Sequence, residues 1–318
     1  MDIKKQRVGE SGGQVVDVNK KLKLELIEKL SNVYDSMPIY SVRKLSSNEM
    51  IENAKFYATR FMGKDSSPSF RSIKRETNST LINLPWETKL RIYHHSNAIV
   101  IRRKINPMQN LIREKIDEGR QVELAIHIMK KLELDKFRLA FEQVEVEGIW
   151  HIKASGINFQ EERAPTVLCR IVATFRRFIN EIPVFGSSCI FLKIAGDNLI
   201  EAVGIDWRQI EEKPIEYTKI IKPEIAAEKI LESFNSTLPN RIITLDDYTP
   251  EFFATGYFSM TPTQQQNYMQ PVYVASFKPL GLTTVNIEIV IPAIHQALSE
   301  SEDNSSGSVL PMRIIFAQ

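Results

Sequence analysis

Val167, Cys169, Ile171, Ala173 and Phe175 recur at every second position. A period of two fits an extended strand with one buried face and does not fit one stripe of an α-helix. Such a strand needs hydrogen-bonded neighbours and an apolar cover. The chain supplies the cover as amphipathic helices. Ser46-Ser47-Asn48-Glu49 has the form of a capping box. Behind it Met50, Ile51, Ala54, Tyr57, Ala58 and Phe61 share one helical face, and Gly63 stops the run. Asn106-Pro107 reads as a second helix start, followed by Leu111, Ile112 and Ile116, then Val122, Ala125, Ile126, Met129 and Leu132. Lys222-Pro223-Glu224 opens a third, with Ala226, Ala227, Ile230, Leu231 and Phe234 on its apolar face.

Strand-like runs follow each helix. After the first come 81–84, 89–94 and 98–104, with Ser96-Asn97 as the last turn. After the second, Phe137, Leu139 and Phe141 share a face, and Val144 and Val146 join them only through a bulge or a change of face. The strand at 167–175 comes next, then 189–194 and 199–205 around Gly196-Asp197-Asn198. After the third come 242–245, 252–258, 272–277 and 285–291, with an edge strand near 312–316. Polar loops are expected at 66–68 and 299–308, and a flexible leader at 8–21. The expected fold class is α+β: tandem units, each of one helix packed on its own antiparallel sheet. The expected divisions are 1–36 (leader and short helix), 37–105, 106–214 and 215–318.

The search for chemistry excludes more than it finds. The 13 glycines form no phosphate-binding loop or dinucleotide turn, and HExxH and GxSxG are absent. His94 and His95 are adjacent, so a strand sends them to opposite faces. His127 is expected half-buried on its helix. Asp246-Asp247 and Glu161-Glu162 diverge in the same way and read as solvated loop charge. No catalytic residue, cofactor or metal site is expected. With the hairpin turning near Asn180, Cys169 and Cys189 fall about four residues out of register, roughly 13 Å apart. That is too far for a disulfide, so two free, buried cysteines are expected.

The 41 basic and 39 acidic residues leave a formal charge of +2. The doublets Lys20-Lys21, Arg102-Arg103-Lys104, Lys130-Lys131 and Arg176-Arg177 are scattered along the chain, so no nucleic-acid partner is expected. No run reaches the roughly 18 apolar residues of a membrane span. No signal-peptide core follows Met1, which leaves a cytoplasmic protein, or one that starts after a removed signal or anchor. The aromatic stretch 248–273 carries Phe252, Phe253, Tyr257, Phe258, Tyr268 and Tyr273. It reads either as a core hairpin or as a binding surface.

The segment Phe175-Arg176-Arg177-Phe178-Ile179-Asn180-Glu181-Ile182-Pro183-Val184-Phe185-Gly186, with the strand-turn-strand through Val203, resembles the FTP/PepSY group of protease pro-regions. Those carry an aromatic/Asn-Gly-(Ile/Val)-Pro-Val-(Phe/Tyr)-Gly stretch, and here Glu181 replaces the usual glycine. Pro271 to Ala275 and Asn286 to Ala293 resemble strands of a PepSY unit, and 46–63 resembles a diverged copy. The resemblance implies a non-catalytic, protein-binding or regulatory protein that modulates a protease or sensor. It implies another protein as partner and favours the bacterial envelope or secretion. Pro183, Val184 and Phe185 become candidate contact residues, joined by Phe253, Tyr257 and Tyr268 from the aromatic stretch. A small-molecule binder, or an enzyme with a pocket between the units, stays open as the alternative.

Overall fold

The alternating run at 167–175 becomes part of a 13-residue strand in the computed structural model, which describes residues 12–63, 70, 72–106, 110–113, 117–155, 165–237, 248–280, 285–296, 298 and 313–316. In chain order the elements are α1 (Gly12–Glu28), β1 (Ser36–Ser41), α2 (Ser47–Met62), β2 (Ser72–Arg75), β3 (Ser79–Leu84), β4 (Thr88–Tyr93), β5 (Ile99–Arg103) and α3 (Glu118–Lys131). Then come β6 (Glu142–Ala154), β7 (Val167–Ile179), β8 (Ile182–Gly186), β9 (Cys189–Ile194), β10 (Ile200–Ile205), β11 (Glu216–Lys219) and α4 (Pro223–Thr237). The chain closes with β12 (Tyr248–Ser259), β13 (Tyr268–Met269), β14 (Pro271–Pro279), β15 (Val285–Pro292) and β16 (Arg313–Phe316).

Strand accounts for 45% of the structure and helix for 23%, so the fold is predominantly β. Contacts group the chain into two units, each discontinuous. The first combines Met1–Pro38, Tyr217–Gly256 and Gln270–Gln318; the second combines Ile39–Glu216 and Tyr257–Met269. In each, two helices share one sheet, and this overturns the expected α+β array of one helix per sheet.

In the first unit Leu22 and Leu26 of α1 and Ala226, Ala227, Ile230 and Phe234 of α4 are buried in one core. They share it with Phe253, Tyr273, Phe277 and Ile289 from β12, β14 and β15. Phe234 stacks on Phe277 with ring centroids 4.7 Å apart. The leader expected at 8–21 is helical from Gly12 onward.

In the second unit α2 and α3 cover a sheet of order β6-β7-β9-β10-β5-β4-β3-β2. Ala54, Tyr57 and Phe61 of α2 and Ala125, Ile128 and Met129 of α3 lie in one core with Leu90, Ile101, Phe175, Leu192 and Val203. The pairing that joins what were expected as separate units is β5 with β10, Ile101 opposite Val203. β6 takes one edge of β7, because Ile179 and Phe175 both have β6 partners. β8 and then β9 therefore share the other edge. Between them the chain swings outward, and Val184, Phe185 and Gly186 pair in parallel with Tyr257, Phe258 and Ser259 of β12. Gly186 makes this branch sterically feasible. Its φ is +84°, and a Cβ there would lie 2.3 Å from the Ser259 carbonyl oxygen. A small separate sheet has the order β11-β1-β13.

The capping box forms at α2: Ser46 Oγ accepts from Glu49 N, and Glu49 Oε2 accepts from Ser46 N at 2.9 Å. The second helix starts later than its proline implied. Asp117 caps it by accepting from Arg120 N at 3.0 Å, while Ile112 N donates to Leu168 O at 3.1 Å from irregular chain. Pro107 and Ile116 lie outside the described residues. Phe137 to Phe141 form turns and not a strand, with Phe137 packed edge-on against Tyr57. The runs at 66–68, 242–245 and 299–308, and Asp246-Asp247 and Glu161-Glu162, also lie outside the described residues.

Candidate functional site

A sheet covered on one side presents its other side outward. On β3, β4 and β5 the inward residues Ile82, Leu90, Ile92, Ile99 and Ile101 are buried. Their neighbours face the other way and line an open concavity of ≈ 910 Å³. The lining carries five basic side chains, Lys89, Arg91, Arg102, Arg103 and Lys104, against one acid, Glu87, with Leu81, Tyr93 and Val100 as apolar floor. It contains no His, Cys or Ser.

Two of the bases are already spoken for. Arg91 reaches Glu76 at 2.6 Å and Ser79 at 2.9 Å, and Lys104 reaches Glu87 at 3.3 Å. The Ser79 hydroxyl, and then the Arg91 charge and hydrogen bond, outweigh burial and hold Glu76 below the usual carboxylate range. Arg103 is the exception to the outward set: it shares the helix-covered face with Ile101 and lies over the Phe61 ring of α2 at 5.3 Å, where desolvation lowers its pKa. Lys89 and Arg102 differ from these. They are exposed, directly opposite each other across the β4–β5 ladder, and neither has a carboxylate in ion-pair range among the described residues. Like charges placed so cost up to ~1 kcal/mol.

Beside this floor the β3–β4 turn holds Trp86 at φ 56° and Glu87 at φ 50°. A bulky residue in left-handed backbone is an outlier. The turn leaves the indole 61% exposed, with Thr88 Oγ1 donating to Trp86 O at 3.3 Å.

A second, closed feature is the charge network beneath β7. Arg177 is fully buried, pairs with Glu142 and donates to Arg208 O at 2.8 Å, and its guanidinium stacks 4.5 Å from the Trp207 ring centroid. Burial pulls the Arg177 guanidinium down, while the Glu142 and Asp206 charges pull it back. Arg208 is also fully buried and donates to the carbonyls of His95 (2.9 Å), Met260 (3.2 Å), Thr261 (2.8 Å) and Gln264 (2.9 Å). These side chains close the interior and fix the 260–264 loop.

The residues nominated from sequence fall elsewhere. Val184, Phe185, Phe253 and Tyr257 are buried. Pro183 and Tyr268 are half-buried. Pro183 pairs with Phe178, and Tyr268 pairs with Ser41. Most of the aromatic stretch is core, as one of its two readings had it. His94 bonds Thr80 at 2.9 Å, and His127 is exposed instead of half-buried. Cys169 and Cys189 are free, but Cys189 sits opposite Arg176 and is only half-buried. They are seven residues out of register, because the β8 excursion lengthens the connection. Sequence reasoning missed Lys89, Arg102 and Trp86. The signal was the hairpin itself, although the turn at Ser96-Asn97 would have set Lys89 against Lys104, and the observed turn, centred on His95-Ser96, sets it against Arg102.

Among the described residues no group of three or more His, Cys, Asp or Glu is placed to hold a metal ion, and no helix is long and apolar enough to cross a membrane. No protein-family model matches the chain, and no curated protein matches it.

Proposed function

We propose that the chain is a non-catalytic binding protein that receives an acidic segment of a partner protein on the open face of β3, β4 and β5. The observation that carries this is Lys89 opposite Arg102 without a carboxylate between them, in a concave floor. Their repulsion is relieved when a carboxylate enters. Trp86 beside the floor supplies the exposed aromatic that interface hot spots favour. The protein partner implied by the FTP/PepSY resemblance agrees with this reading. Nucleic acid fits less well. Tyr93 is the one aromatic in the lining, whereas strand binding uses several stacking rings along a basic track.

The test is fluorescence anisotropy with a labelled oligo-glutamate peptide and, separately, a single-stranded oligonucleotide. The peptide binds, Lys89→Glu with Arg102→Glu weakens it at least tenfold, and Trp86→Ala weakens it less. No peptide binding, or tighter binding of the oligonucleotide, overturns the reading.

A further inference from the structure

We propose that two copies of the chain associate through β6, strand against strand, about a two-fold axis at Trp150. The sheet of the second unit ends in two unlike strands. β2 is four residues long, fully exposed and carries Lys74 and Arg75, the short charged form that blunts an edge. β6 is 13 residues long, and among the described residues β7 is its one ladder partner. Its other edge therefore presents a long row of backbone donors and acceptors. Trp150 and Ile152 stand on that strand at 46% and 42% exposure. Both point away from α3, because His151 between them bonds Gln121 of that helix at 2.8 Å. A long edge with exposed apolar side chains is a template for another strand.

The irregularities of β6 choose the register. The ladder shifts between Val146 and Gly148 and again between Ile152 and Lys153, so 148–152 is the regular stretch. Centring an antiparallel pair there puts Trp150 against its own copy. Ile152 then falls opposite Gly148 of the partner subunit; in each chain the Trp150 indole leans over Gly148, 3.4 Å from where a Cβ would stand, so Ile152 meets an aromatic surface. Glu147, which already pairs with Arg176 of its own chain through Oε1, falls opposite Lys153 of the partner subunit, twice by symmetry, so Lys153 adds a second cation to that carboxylate. A second copy thus sets apolar side chains against apolar side chains and a cation against a carboxylate. This inference is independent of the basic face on β3, β4 and β5.

The test is sedimentation equilibrium of the full chain across the micromolar range. The wild type forms a dimer. Trp150→Lys and Ile152→Lys, both at exposed positions, raise its Kd at least tenfold while the far-UV circular dichroism is unchanged. Lys153→Glu also raises the Kd, and Glu147→Lys combined with Lys153→Glu restores it. A wild type that stays monomeric, or a dimer indifferent to these changes, overturns the proposal.

Discussion

Glu142 and Arg177 meet on the diagonal of the β6–β7 ladder with side chains 1% and 0% exposed, an ion pair sealed from water. The carboxylate also accepts from Leu139 N at 2.9 Å, and the guanidinium donates on to Arg208 O. Removing one partner leaves the other charged and buried without its ion-pair partner. Glu142→Ala or Arg177→Met should each cost about 3–5 kcal/mol. Urea unfolding checks this as a lower midpoint at unchanged slope, and the double variant should cost less than the sum.

Arg208 supplies donors to four backbone carbonyls, one of which, Thr261 O, also accepts from Gln264 N at 3.0 Å. Arg208→Met keeps much of the stem volume and removes every donor. Stability should fall by about 2–4 kcal/mol. Hydrogen exchange should speed up selectively in 260–269, the segment those bonds hold. Uniform acceleration over the whole second unit would count against a local role.

Gly186→Ala should destabilise by at least ~1 kcal/mol, because the new methyl meets backbone at 2.3 Å and the φ of +84° suits no alanine. Gly204→Ala offers the contrast. Its methyl would meet the Phe191 ring at 1.9 Å, a side chain that turns more readily than backbone moves. Thermal melts of the two variants should therefore rank Gly186→Ala as the less stable.

Glu201 bridges Lys193 at 2.6 Å and Arg170. Burial alone would raise its pKa, but the hydrogen bonds and charges of those two bases hold it lowered. A group depressed in the folded state contributes stability above its unfolded pKa and loses it as pH falls through the folded value. Stability should decline from about pH 5 downward, and the decline should be shallower in Glu201→Gln. Chemical denaturation at a series of pH values measures the difference in slope.

What the sequence made legible was local. The strands at 79–84, 88–93 and 99–103 follow from alternation, and α2 from its capping box and stripe. The start of α3 was obscured because Leu111 and Ile112 continue a helical spacing while they lie in irregular chain. The shared sheet was not legible, since Ile101 and Val203 meet across about a hundred residues of chain and no local period encodes that distance. The basic face was half legible. Lys89 and Arg102 are thirteen residues apart, but reading charge along the chain instead of across the hairpin dispersed it.

The outward swing at Gly186 also sets a timetable for synthesis. Its partners Tyr257, Phe258 and Ser259 emerge from the ribosome some seventy residues later. Until then Val184 and Phe185 lack the strand that covers their edge, and Arg208 lacks three of its four carbonyls. The nascent chain must carry an unfinished unit while residues 217–256 are made. Neither unit is one contiguous segment, and any fragment that holds the second unit whole must also carry 217–256 of the first. A truncation after Glu216 that looks like a domain would release a sheet with an open seam, a natural client for chaperones.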